Sequence, residues 1–221
     1  MTTRRDRRVS FELVIFDCDG VLVDSEPLAN RIFAGALREI GLEIGLEEVC
    51  RTFIGLSMSR CVEIVEQRLG RPVPADFVDR LQDATFDAFR AGLQPVPGVI
   101  AALKRIDAPV CVASSGEHEK MRLTLGLTGL LPRFEGRMFS ATEVARGKPD
   151  ADLFLYAASR LGARPERCAV VEDSLPGVQA ARAARMTAFG YAGRADGDEL
   201  AAAGATVFGE MEKLPELLET G

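Results

Sequence analysis

The chain has 221 residues, 27 basic and 33 acidic side chains, a net charge of -6 and 47% hydrophobic residues. A sizeable core is within reach, the acidic balance argues against a nucleic-acid binder, and no apolar run approaches the roughly 18 residues of a membrane span. Five cysteines lie far apart without C-x-x-C spacing, which fits reduced thiols in a cytoplasmic protein.

Thr2 to Arg8 carries four arginines and no signal-type apolar stretch follows, so residues 1–8 are expected to be a solvated tail. Leu13 to Phe16 reads as a short buried strand, ended by Asp17-Cys18-Asp19 and the sharp exit at Gly20. Leu28, Ile32, Phe33, Ala36, Leu37 and Ile40 recur at helical spacing, so Glu26 to Glu39 is predicted helical and Gly41 ends it. Further helices are predicted over Glu47 to Phe53, broken at Gly55, over the Cys61 to Leu69 stretch capped by Ser57 or Ser59, and over Pro74 to Ala91.

Gln94-Pro95-Val96-Pro97-Gly98 is a turn-rich seam, and the pattern changes beyond it. Helices are predicted over Val99 to Ile106, Glu117 to Leu125, Asp150 to Leu161 (begun near Pro149), Pro176 to Ala184, Asp198 to Ala203 and Leu214 to Glu219. Strands are predicted over Pro109 to Ala113, Arg137 to Ser140, Cys168 to Val171, Thr187 to Gly190 and Ala205 to Phe208. Strands alternating with helices imply βαβ units and a parallel sheet. The expected fold is α/β: a Rossmann-like three-layer core from residues 9–24 and 95–221, with an inserted all-helical cap at 25–94.

Parallel strands bring their carboxyl ends to one edge, where ligands bind in open α/β sheets. That edge would gather Asp17 and Asp19, Ser114 and Ser115, and Glu172 and Asp173. Four carboxylates so close would repel and raise one another's pKa, and a hard cation resolves the conflict. Mg²⁺ suits oxygen ligands and bridges to phosphate. His118 is the only histidine, so a thiolate or imidazole metal site lacks ligands, and the residue is expected to be exposed at a helix start. Lys148, held extended by Pro149, is placed to offset the acidic edge and bind a phosphoryl group. No G-x-x-x-x-G-K-[ST], G-x-G-x-x-G or G-x-S-x-G competes.

With these residues in hand, the chain resembles the haloacid dehalogenase-like phosphohydrolases. Asp17-Cys18-Asp19-Gly20-Val21-Leu22-Val23-Asp24-Ser25 matches their D-x-D-G-[VT]-L-x-D-[ST] signature. Ala113-Ser114-Ser115, Lys148-Pro149-Asp150 and Val171-Glu172-Asp173-Ser174 match the later motifs in order. The insert is similar in position to the helical cap of the β-phosphoglucomutase-like and phosphoglycolate phosphatase-like branch.

The resemblance implies that Asp17 is the nucleophile and Asp19 the acid and then base. It also implies that Asp17, the Asp19 carbonyl, Asp173 and Glu172 hold Mg²⁺, and that Ser114, Ser115 and Lys148 bind the transferring phosphoryl group. Asp19 favours phosphate esters over organohalides, because the dehalogenases of the family lack it. The expected activity is a Mg²⁺-dependent phosphatase acting on a small phosphorylated metabolite, a sugar or sugar-acid phosphate, through an aspartyl-phosphate. A sugar-phosphate mutase is the alternative. The mutases of this branch carry a His where Ala29 stands and an Arg where Met58 stands, which weighs against it, although Arg60 could substitute. A fold retained without catalysis would be expected to lack Asp17, Asp19 or Lys148, and all three are present. Glu26, Gly55 and Arg60 are the cap candidates for substrate choice, and the cap is expected to close over the site and exclude water. No nucleic-acid or membrane partner is expected, and the protein is expected to be a monomer or weak dimer.

Overall fold

A computed structural model of the protein describes residues 11–53, 56 and 58–220. The chain divides into two units. One is Ser25–Gln94; the other joins the segment up to Asp24 with the chain from Pro95 onward.

The second of these is built on a six-stranded sheet of order β3-β2-β1-β4-β5-β6. The strands are β1 (Leu13–Phe16), β2 (Val110–Ser114), β3 (Met138–Ser140), β4 (Cys168–Glu172), β5 (Thr187–Tyr191) and β6 (Thr206–Phe208), and every pairing is parallel. The order runs outward from the centre in both directions, so the chain reverses between β1 and β4. In such sheets this switch point opens a crevice at the strands' carboxyl ends.

The remaining helices of this unit are α5 (Val99–Arg105), α6 (His118–Leu127), α7 (Leu131–Phe134), α8 (Asp152–Arg160), α9 (Leu175–Ala183), α10 (Gly197–Ala202) and α11 (Leu214–Thr220), numbered after four in the other unit. Side chains alternate across a strand. Leu13 and Ile15 accordingly join Leu153, Phe154 and Ala157 of α8 and Val178 and Ala181 of α9 in one buried cluster. Phe16 points the other way and meets Phe134 of α7 edge-on at 6.2 Å. The sheet therefore lies between two helical layers, which is why β1, β2 and β4 are buried at every position.

The Ser25–Gln94 unit is helical: α1 (Glu26–Glu39), α2 (Leu46–Phe53), α3 (Met58–Leu69) and α4 (Phe77–Gly92). Phe33, Leu37, Val49, Phe53, Val65, Phe77 and Leu81 form its interior. Phe33 packs edge-on against Phe53 at 5.1 Å.

Some boundaries differ from expectation for identifiable reasons. Ser114 and Glu172 end their strands rather than follow them, because both continue the ladder to Ser140 and Gly190. The helix expected from Pro74 begins at Phe77, since Phe77 N first closes a turn on the Pro74 carbonyl at 2.9 Å. The one expected near Pro149 begins at Asp152. Ser59 lies inside α3 rather than capping it, and Gly55 and Ser57 fall outside the described residues, as does the expected tail. The four-residue α7 carried no periodic signal, being too short to show one.

Candidate active site

The loop after β1 is fixed by its own backbone. The Cys18 carbonyl accepts from Leu22 N at 2.9 Å and Val23 N at 3.0 Å, and Gly20 N donates to the Val23 carbonyl at 2.9 Å. This tight reversal takes Gly20 to φ +76°. A side chain there would also collide: a Cβ would lie 1.9 Å from Asp173 Oδ2. Gly20 thus serves both the turn and the close approach of a carboxylate from β4's loop.

Asp17 leaves β1 with its amide bonded to the Val171 carbonyl at 2.9 Å, and the residue is 8% exposed. Lys148 enters from the segment between β3 and α8, across a cis Lys148–Pro149 peptide. Its Nζ donates to Asp17 Oδ1 at 2.5 Å and to Glu172 Oε1 at 2.5 Å. The ammonium also lies 5.2 Å from the centre of the Phe154 ring. Burial pushes the Asp17 carboxyl up to about 7; Lys148 opposes this, while Glu172 and Asp19 add to it. Burial disfavours the Lys148 charge, but Asp17 and Glu172 outweigh that and hold its pKa above the ordinary lysine value. With both carboxylates ionised, one ammonium would leave a net negative charge in a dry place, which favours a proton on Asp17.

Glu172 is fully buried, and its second oxygen is used by the start of α9. Oε2 accepts from Asp173 N at 3.1 Å, Ser174 N at 3.1 Å and Ser174 Oγ at 2.8 Å. Ser174 caps α9 by accepting from Gly177 N at 3.2 Å. The helix N-terminus favours negative charge here. A Cβ on Gly177 would lie 1.9 Å from Glu172 Cδ, so the carboxylate occupies the volume a side chain would fill.

Ligand oxygens of Asp17, Glu172 and Asp173 all lie within 4.8 Å of one another. This all-oxygen donor set suits a hard divalent cation and offers nothing to a soft one. Ser114 ends β2, is 2% exposed, and accepts from Gly116 N at 3.1 Å through Oγ. Ser115 beside it is exposed. Asp19 pairs elsewhere: its Oδ2 accepts from Lys120 Nζ at 2.8 Å. Burial works against the Lys120 charge, but Asp19 outweighs it and the pKa stays above the ordinary value.

The structure thus gathers Asp17, Lys148, Glu172 and Asp173 in one cluster. Ser114 stands at the end of the neighbouring strand, and Asp19 beside Asp17 carries its own cation. Glu26 opens α1 and Arg60 lies in α3, paired with Glu63 at 2.6 Å. His118 opens α6 and bonds Glu143 Oε2 at 2.8 Å, as an exposed pair. Cys18 is buried with its thiol pushed up by burial, which makes it a poor nucleophile. Lys120 and Gly177 were not singled out from sequence. Lys120 is an ordinary polar position on a helix, and nothing before folding couples Gly177 to Glu172.

Residues 11–185 match the haloacid dehalogenase-like hydrolase family. Among curated relatives, 6-phosphogluconate phosphatase of Escherichia coli (strain K12) is 33% identical over 209 residues, 93% of this chain and 94% of that one. Hexitol phosphatase B of the same organism is 29% identical over 78% of this chain and 79% of that one. A crystal structure of a hydrolase of this family from Deinococcus radiodurans, with bound phosphate and sodium, superposes with a TM-score of 0.80 at 31% identity, covering 96% of this chain and 97% of that one. The family match spans most of the chain, a curated relative is one-third identical across nearly all of both chains, and the chain belongs to the haloacid dehalogenase-like hydrolases.

Proposed function

We propose that the protein is a Mg²⁺-dependent phosphatase that hydrolyses the phosphate ester of a small sugar, sugar acid or sugar alcohol. The observation that carries this reading is Lys148, buried between Asp17 and Glu172 with Asp173 alongside. A buried ammonium flanked by carboxylates at a strand edge is equipped to meet a phosphoryl group. The named substrates of the curated relatives support the sugar-phosphate class.

Asp17 attacks phosphorus, its carboxylate oxygen forming a P–O bond as the ester P–O bond breaks. Asp19 gives its proton to the departing alkoxide. Asp19 then takes a proton from water, whose oxygen attacks phosphorus and displaces the Asp17 carboxylate, releasing phosphate and restoring both groups. Lys148 and the Ser114 hydroxyl offset charge on the phosphoryl oxygens. Asp17, Asp173, the Asp19 carbonyl and Glu172 would hold Mg²⁺, which when bound neutralises phosphoryl charge and lines the phosphate up with Asp17.

Ala29 and Met58 favour hydrolysis over a mutase, because neither supplies a charge for a second phosphate. We assign choice of the sugar to the helical insert, through Glu26, Gly55 and Arg60. The free cysteines support a reducing compartment, the cytoplasm. No helix among the described residues is long and apolar enough to cross a membrane.

The test is phosphate release from a panel of sugar and polyol phosphates with Mg²⁺ present. Wild type should turn over at least one member, and Asp17→Asn should lose about 10³-fold or more. Retained turnover in that variant, or isomerised sugar phosphate without free phosphate, would overturn the reading.

A further inference from the structure

Lys148 has a counterpart on the other side of the nucleophile loop. Lys120, in the first turn of α6, places Nζ 2.8 Å from Asp19 Oδ2, with side-chain exposures of 33% and 27% for the two. This differs from a solvated surface pair. The lysine stem runs beside Gly116, where a Cβ would lie 3.6 Å from Lys120 Cδ, 3.5 Å from Ser114 Oγ and 3.9 Å from Asp19 Oδ2. The stem, the β2 serine and the Asp19 carboxylate therefore share one small space.

A second contact from the same helix reaches the same loop. Thr124 lies one turn beyond Lys120, and residues four apart share a helix face. Its Oγ1 lies 3.9 Å from Cys18 Sγ and donates to the Lys120 carbonyl at 2.9 Å. Successive turns of α6 thus meet the successive residues Cys18 and Asp19. The helix that starts just past the Ser114 strand end is registered against the loop that carries the carboxylates.

We propose that Lys120 is a positioning residue for Asp19: its ammonium, bonded to Oδ2, fixes the rotamer in which the carboxyl group meets the leaving group. The proposal rests on the aspartyl-phosphate chemistry given above. A carboxylate on a loop loses proton-transfer efficiency when its rotamer wanders, and misplacement by about 1 Å can cost on the order of 10²-fold. A fixed acid matters most when the leaving group is a poor one. A sugar alkoxide needs its proton as the P–O bond breaks, whereas p-nitrophenolate leaves without one.

The experiment compares kcat/KM, which covers steps through the first irreversible bond cleavage, for a sugar phosphate that wild type hydrolyses and for p-nitrophenyl phosphate. Lys120→Met should lose about tenfold or more on the sugar phosphate beyond its loss on the aryl ester, and Lys120→Arg should recover most of the difference. Asp19→Asn should show the same selective loss, and adding Lys120→Met to it should deepen that selectivity little. Equal losses on both esters, or no loss on either, overturn the positioning role. If Lys120→Met does not fold by its melting curve, Lys120→Gln carries the same comparison. Wild type inactive on both esters, or Asp17→Asn active on either, overturns the phosphatase reading instead, so the two failures are distinct.

Discussion

In the α/β unit the Lys148 side chain is 6% exposed and touches two carboxylates; in the helical unit the Arg60 side chain is 54% exposed and its partner Glu63 58%. Arg90–Asp87 and Arg80–Glu39 in the same unit are as wet. Each such pair is worth roughly 0–1 kcal/mol, against about 1.5–3 kcal/mol for one buried Phe or Leu. The helical unit is therefore held by Phe33, Leu37, Phe53 and their neighbours, and its surface charges are free to differ with little effect on folding. The charges of the Lys148 cluster are not free: Lys148, Asp17 and Glu172 are built into the end of the sheet, and removing one leaves the others stranded. One region carries charges locked into its interior, and the other carries charges that can change at little cost to folding.

Lys148→Met should break this contrast most severely. It leaves Asp17 and Glu172 buried without their cation, which should cost about 3–5 kcal/mol of stability. It should also cost on the order of 10²–10³-fold in kcat, by loss of a charge facing the phosphoryl oxygens. Denaturant unfolding and steady-state kinetics on the same preparation check both, and a variant as stable as wild type would show that the trio is not tightly coupled.

An intermediate effect is expected from pH. Asp17, raised to about 7, keeps its proton in the folded protein well above the pH at which the unfolded chain releases it. The folded state then binds more protons than the unfolded between about pH 4 and 7. Without metal, this group's stabilising contribution is present at low pH and falls as pH rises through that window. In the proposed site Mg²⁺ would have to displace that proton, so its affinity should rise about tenfold per pH unit up to about 7 and then level off. Calorimetric titration from pH 5.5 to 8.5 measures this, and a flat profile would mean that Asp17 is already ionised.

Arg60→Ala should produce the smallest effect. Stability should change by less than about 0.5 kcal/mol, because the pair it breaks is in water. KM for the preferred sugar phosphate should rise a few-fold, and more than KM for p-nitrophenyl phosphate. Equal changes would remove Arg60 from substrate selection.

Much of this layout is legible before folding, and unevenly so. The bounds of β1 and α1 follow from an abrupt polar stop after Phe16 and from a clean 3.6-residue period begun by Glu26-Pro27. The gathering of Asp17, Glu172 and Asp173 is legible because parallel strands deliver their carboxyl ends to one edge, which Lys148 reaches from the segment between β3 and α8. The finer division of labour is not. That Asp19 takes a lysine of its own depends on the rotation of α6 about its axis, which brings Lys120 and Thr124 to the loop. Periodicity gives the helix but not which polar residue of its face meets a carboxylate. The expected ends of β2 and β4 fall one residue short of Ser114 and Glu172, because polarity marks a ligand edge as readily as the end of a ladder.

Gly20 and Gly177 carry a consequence for engineering. Replacing glycine by alanine stabilises many proteins by restricting the unfolded chain, at sites that tolerate a methyl group. Gly35 and Gly45 in the helical unit have nothing within 4 Å of a Cβ and no left-handed backbone, so they are open to that strategy. At Gly20 and Gly177 the methyl would take the space of Asp173 or Glu172. Thermostabilisation can proceed in the helical unit, while the two glycines of the sheet edge stay closed to it: the flexibility they lend the unfolded chain is inseparable from the room they give two carboxylates.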